Sequence, residues 1–245
     1  MNKKKYSIYP SLMDGYMYYQ SLEDEEQRLA KKAELIDRIN RVPQPPAEAA
    51  SRGTALNEIV DSLITMRDVK QGMTAQKIEY ENGVKQWHAT LDGFHFCYDE
   101  KLVSDLVYAV MDCMPQVFVK SEIEIPQGVV TLYGYADYIR DGEVIDLKTT
   151  STYEPWKYRS NWQHVIYPYC LLKSGNMGGL NTFTYLVAEI SKGRDQVIRA
   201  NLYEEVYAVE KMDAMERKIS DFLSYELIPF IEDNRNLITD TKIFQ

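Results

Sequence analysis

Cysteine is scarce: Cys97, Cys113 and Cys170 are the only three in 245 residues, and they stand far apart. That count and spacing exclude a disulfide framework and fit neither a zinc nor an iron–sulfur ligand set. Cys113 and Cys170 sit among apolar neighbours and read as core residues. Histidine is equally sparse, and His88, His95 and His164 form no spaced ligand set. No apolar run approaches the ~20 residues that a bilayer-spanning helix requires. The Lys3–Lys5 run is followed at once by polar residues rather than a secretory core, so cytoplasmic residence, with no membrane partner, is the expectation. Excess positive charge is also missing. With 28 Lys and Arg against 37 Asp and Glu, the net charge of −9 argues against a non-specific nucleic-acid coat protein. It leaves room for a carboxylate-built site, which would itself add to the acidic total.

What is present is an ordinary globular composition, 45% hydrophobic and 27% charged, without internal repeats or low-complexity tracts. Three helices are expected first: Ser7 to Leu22 with Ser11 as N-cap, Leu22 to Arg41, and Arg52 to Val69. Leu29, Ala33, Leu35, Ile36 and Ile39 should line the inner face of the second, and Leu56, Ile59, Val60, Leu63 and Ile64 that of the third. Pro43-Gln44-Pro45-Pro46 separates a helical segment, 1–46, from a core, 47–245, the two expected to form one domain. Strands follow near Lys77–Tyr80 and Trp87–Cys97, then a helix near Glu100–Cys113. A strand-rich centre comes next, at Gln116–Ile125, Val129–Arg140 and Glu143–Thr149. A helix over Ser160–Lys173, strands near Thr182–Ile190 and Gln196–Leu202, and a long helix over Glu204–Asn234 complete the chain. The order predicts an α/β (α+β) fold with a mixed central sheet flanked by helices.

The most informative segment runs from Tyr133 to Thr150. Asp141-Gly142 between two β-rich runs predicts a two-residue type I′ hairpin, pairing Arg140 with Glu143 and Ile139 with Val144. Counting outward sets Asp137 opposite Asp146, with Lys148 emerging on the same face two residues on. Directly opposed like charges destabilise a sheet. A divalent cation between them removes the objection, since hard Mg²⁺ prefers carboxylate oxygens. An exposed hairpin with ordinary surface charges is the plain alternative, and a loop of odd length would turn Asp137 away.

These residues resemble the PD-(D/E)XK nuclease superfamily, in particular its RecB-like and phage-type exonuclease branches. The resemblance is carried by Gly134-x-x-Asp137, Asp146-Leu147-Lys148-Thr149, Gln163-x-x-x-Tyr167 and the upstream Arg52-Gly53-Thr54-Ala55-Leu56-Asn57-Glu58, spanning about Arg52 to Tyr169. It implies a restriction-endonuclease-like fold and an Mg²⁺- or Mn²⁺-dependent deoxyribonuclease, an exonuclease on linear DNA in recombination or repair, using one or two ions. Asp137 and Asp146 would be metal ligands, with the Leu147 carbonyl facing a metal, and Lys148 the catalytic lysine. Gln163 and Tyr167, one turn apart, would contact substrate; an ordinary amphipathic helix explains their spacing equally well. Pro168 should kink or end that helix just after Tyr167.

One position departs from the family pattern: Asn57 stands where RecB-like enzymes commonly carry a histidine ligand, and Asp61 one turn on would compensate through water. That departure motivates a second reading, a catalytically degenerate member that binds DNA or a protein. An endonuclease or RNA-processing enzyme with the same site is a third. Glu122 and Glu124 alternate onto one strand face and either would complete the metal shell, Glu124 slightly favoured. Lys157 and Arg159, interleaved with Tyr153, Trp156, Tyr158 and Trp162, would contact phosphates and stack bases, or simply pack beneath a loop. The iron–sulfur branches use four cysteines, so no cluster is expected. DNA is the implied partner; by analogy a single-strand annealing or recombination protein, and a homo-oligomer, are compatible with it.

Overall fold

The computed structural model describes residues 4–175 and 177–244. Lys3, of the N-terminal lysine run, lies outside them.

Period-2 burial builds the centre of the molecule. Strand β6 (Gly128–Arg140) and strand β5 (Met114–Ile125) form a long antiparallel ladder, and β7 (Glu143–Thr150) returns from β6 by the Asp141-Gly142 turn. Strand β8 (Thr182–Lys192) then pairs with β7 in parallel, which requires a crossover, supplied by helix α5 (Gln163–Lys173). Strand β9 (Ile198–Ala208) pairs with β8 and passes through Tyr98↔Ile198 to β4 (Phe94–Asp99), β3 (Lys85–Leu91) and β2 (Met73–Glu79). With β1 (Lys5–Ile8) added parallel to β6, the described residues form one nine-stranded mixed sheet.

Helices cover both faces. On one side α1 (Pro10–Ser21), α2 (Glu25–Ile39), α5 and α6 (Met212–Phe222) enclose Tyr6, Ile8, Val130, Leu132, Phe183 and Val187. On the other, α3 (Glu48–Thr65) and α4 (Glu100–Val110) bury Tyr138, Ile145, Leu147, Leu186 and Ala188. Strands covered on both faces lose their polar alternation, which is why β8 reads as a nearly continuous apolar run.

Several expectations need correcting. The residues preceding α1 form β1 rather than helix, and Tyr9, not Ser11, occupies the N-cap, without a side-chain cap. Leu29 and Ala33 face solvent in α2, and Leu63 is exposed in α3; Leu35, Ile36, Ile39, Leu56, Ile59 and Val60 are buried as expected. The run around Trp87–Cys97 is two strands, turned at Asp92-Gly93, where both residues have positive φ. Helix α5 continues through Pro168 to Lys173. The stretch 204–208 belongs to β9, and the final helix is divided by a π-helical turn, Leu223–Leu227, before α7 (Ile228–Asp233). Cys170 is buried, whereas Cys113 is half-buried.

Candidate active site

The β6–β7 hairpin keeps the predicted register at Arg140↔Glu143, Ile139↔Val144 and Tyr138↔Ile145. Its turn does not take the type I′ form, which needs positive φ at both central residues: Gly142 has φ 75° but Asp141 does not. Beyond Tyr138 the ladder stops. On the β5 side the pairing also steps over Asp137, from Pro115↔Tyr138 to Val117↔Ala136, across Gln116 at φ 52°. Asp137 is therefore absent from both ladders. Its carboxylate replaces the missing backbone partner, Oδ2 accepting the Leu147 N–H at 3.0 Å. The two strands separate here, and among the described residues none pairs as a strand with 133–137 on the edge of β6 that β1 and β7 share.

Asp146 lies in that opening, 1% exposed. Gln163, the first residue of α5, links it to the lysine: Nε2 donates to Asp146 Oδ1 at 2.7 Å, and Lys148 Nζ donates to Gln163 Oε1 at 2.7 Å. Lys148 Nζ also stands 2.5 Å from Asp146 Oδ2 as an ion pair and 5.6 Å above the Tyr185 ring. The chemistry fixes the amide orientation, since a carboxylate accepts only from the NH₂ and an ammonium donates only to the oxygen. Burial raises the Asp146 carboxyl above its ordinary range, and Lys148 opposes the rise. Burial raises Asp137 as well, the neighbouring Asp146 charge adding to it while Lys148 and the Leu147 N–H work against it. Two desolvated acids beside one lysine leave negative charge uncompensated.

Tyr167, one turn along α5, is buried against Gly134, where an added Cβ would come within 2.8 Å of the ring. Glycine at 134 is thus a requirement of close approach by α5. Asp14 of α1 is a further member that no sequence signal marked, because only the tertiary fold brings it near. Its Oδ1 accepts the Trp162 N–H at 2.7 Å, immediately before Gln163. Burial pushes its carboxyl up to about 6, against the Trp162 N–H and Lys148, with Asp146 reinforcing the rise.

Helix α3 reaches the opening from the opposite face. A Cβ on Gly53 would meet Thr149 Oγ1, so the helix is pressed against β7. Asp61, two turns on, is close enough to Asp137 to raise its pKa. Asn57 lies between them with its Oδ1 buried and without a hydrogen bond, whereas the Asp61 carboxylate is hydrogen-bonded by Tyr138 and Gln116. Glu124 is not part of this grouping. It pairs with Val129, eight residues along β6 from Asp137, or about 26 Å at ~3.3 Å per residue. Glu122, opposite Thr131, is roughly 20 Å away by the same count. The strand length, invisible to alternation alone, removes both.

Lys157 lies just past the end of β7: its Nζ donates to Thr150 Oγ1 at 2.7 Å and to the Thr152 carbonyl at 2.6 Å. Buried Glu205 holds the backbone there, accepting the N–H groups of Lys157 and Tyr158. Arg159 is exposed and shares a surface cavity with Lys157 and Trp156. This group therefore borders the carboxylate opening without entering it. Trp162 is buried, Tyr153 stacks on Tyr203, and Trp156 is 55% exposed. His164 turns away from the site to stack on Tyr207, and burial lowers its pKa to about 4.

The residues fit a divalent cation. Two buried acids, Asp137 and Asp146, face one lysine, and Asn57 Oδ1 is buried without a hydrogen bond. Among the described residues there is no ready-made cluster of three or more His, Cys, Asp or Glu, so the donor set here would be two carboxylates completed by neutral oxygens and water.

A family model described as the PD-(D/E)XK nuclease superfamily matches residues 19–234. No curated protein matches the sequence. Among solved structures, the crystal structure of SSO0001 is similar at 15% identity, over 49% of this chain and 54% of that one, with a TM-score of 0.34. The chain thus spans about half the length of that relative. The Scheffersomyces stipitis Rai1 structure, in complex with (3'-NADP)+ and calcium ion, gives 13% identity over 88% and 71%, with a TM-score of 0.19. Likenesses this slight carry no weight beside the family match.

Proposed function

Because the chain belongs to the PD-(D/E)XK nuclease superfamily, we propose that it is a divalent-metal-dependent DNA nuclease, an exonuclease on linear DNA acting in recombination or repair. The observation that carries this reading is the buried Asp146, its carboxylate held between Lys148 and Gln163, beside a second desolvated acid. Asp137 and Asp146 would hold Mg²⁺ or Mn²⁺, with the Leu147 carbonyl and, from α3, the Asn57 amide oxygen. A bound ion supplies Lewis-acid polarisation of the phosphoryl oxygen and a more acidic water.

The chain's own residues do the remainder. Lys148, held by Gln163, presents an ammonium that orients the attacking water and offsets charge developing on the phosphate. Gln163 bonds both Asp146 and Lys148, so the acid and the amine keep their relative positions as substrate enters. Tyr167 closes the floor of the opening against Gly134. Lys157 and Arg159, on the anchored loop beyond β7, would receive backbone phosphates leaving the site.

Linear duplex, closed circular duplex and RNA, each incubated with Mg²⁺, test the reading. Shortening of the linear DNA alone supports an exonuclease. Cutting of the circle moves the assignment to an endonuclease, cutting of RNA alone moves it to RNA processing, and no products with any substrate refutes nuclease activity. The degenerate reading rests on Asn57. The unpartnered buried oxygen of that residue favours a retained ligand over a lost one.

A further inference from the structure

The edge of β6 left open at 133–137 does not end at the carboxylates. One cavity of about 550 Å³ contains Asp137, Gln163 and Tyr167 and extends over Tyr133 and Tyr135 to Arg41. A second, of about 300 Å³, shares Arg41, Tyr133 and Tyr135 with the first and continues to Phe118, Lys120 and Lys242. The two form a continuous groove across β6 and β5. Among the described residues its walls carry three cations and one carboxylate, Asp137. In a chain of net charge −9 that is a marked local reversal. Arg41 is steadied by Asp240 at 3.0 Å, while Lys120 and Lys242 line the far end of the groove.

The aromatic residues lie open. Phe118 and Tyr135 are 51% and 58% exposed, with ring centroids 5.1 Å apart across the β5–β6 ladder. Two large rings exposed side by side forgo the burial that such side chains gain in a core. A groove that alternates aromatic faces with cations matches a polynucleotide strand whose bases are unpaired, because stacking needs a free base face and the cations follow the phosphates.

We infer that this groove, with Tyr135 and Phe118 as stacking platforms and Arg41, Lys120 and Lys242 as phosphate contacts, binds a single-stranded segment of the nucleic acid and leads it to Asp137. The inference rests on the nuclease reading for its substrate class, but its test does not require cleavage. Fluorescence anisotropy of labelled fifteen-nucleotide oligo-dT and of a blunt duplex of equal length, on the full chain carrying Asp146→Asn, measures binding without cutting. Tyr135→Ala and Phe118→Ala, added singly, should each weaken oligo-dT binding at least fivefold and duplex binding less than twofold. Lys120→Ala should reduce the salt dependence of oligo-dT binding by about 0.7 in log–log slope. Thermal melting confirms that each variant is folded; all three positions are exposed.

Undetectable oligo-dT binding, losses under twofold, or equal losses for single strand and duplex would overturn the assignment. If the unsubstituted protein cuts no nucleic acid yet oligo-dT binding depends on Tyr135 and Phe118, the nuclease reading fails while the groove stands.

Discussion

Strand β7 presents two faces of opposite chemistry from a single backbone. Ile145 and Leu147 point to the α3–α4 side and are buried among aliphatic and aromatic neighbours, whereas Asp146 and Lys148 point to the α5 side and meet Gln163. The first face stabilises the sheet through burial alone. The second takes a charge out of water, incompletely paired, which costs stability unless a cation arrives. Stability and chemistry are thus separated by one residue of register, and substitutions on the two faces should separate them experimentally.

The largest expected effect is on activity. Asp146→Asn should lower the cleavage rate by at least about a thousandfold, a magnitude typical of losing a principal electrostatic group. It should change the melting temperature of the metal-free protein little, because the repulsion from Asp137 that it relieves offsets the ion pair with Lys148 that it breaks. Leu147→Ala, its immediate neighbour, should do the reverse. It should cost about 2–4 kcal/mol in denaturant unfolding while leaving the turnover of the folded fraction within a few-fold. Equal losses of activity and stability in both variants would break the comparison between the faces.

Gln163→Ala should follow, with roughly a ten- to hundredfold lower kcat and a smaller change in KM, since it removes the group that orients Asp146 and Lys148 rather than a substrate contact alone. Steady-state kinetics on a short labelled duplex measures the split. A change confined to KM would demote Gln163 to substrate binding.

The smallest effect is the pH dependence of the metal-free protein. Asp137, Asp146 and Asp14 all have carboxyls raised in the folded state above the ordinary value near 4. The native protein therefore keeps protons that the unfolded chain has released. Their contribution to stability is fully present below about pH 4, and is lost as pH rises through the folded values, that of Asp14 being about 6. Melting temperature in EDTA should fall over this range relative to a variant carrying Asp137→Asn and Asp146→Asn, and saturating Mg²⁺ should restore it. Identical pH profiles for the two proteins would show that the acids carry no strain.

The hairpin was legible because two local rules agree there: Asp-Gly marks the turn, and strict alternation fixes which side chains share a face. Those rules place Asp146, Lys148 and the Arg140↔Glu143 register, and the helical spacing of Gln163 and Tyr167 brings the pair to the same opening. They misplace Glu124, since alternation says nothing about distance along a strand. They also miss the departure of Asp137 from both ladders, which follows from where β1 ends and β7 begins. Asp14 and the aromatic groove were illegible for a related reason. Their members come from α1, the end of α2, β5, β6 and the C-terminal segment, and nothing in their local spacing signals that the fold gathers them.

Isothermal titration of the metal-free protein with Mn²⁺, beside the variant carrying Asp146→Asn, tests most directly whether the two acids form a cation site. The account predicts saturable binding of one or two ions to the unsubstituted protein and its loss in the variant. Equal binding by both, or none by either, would contradict it.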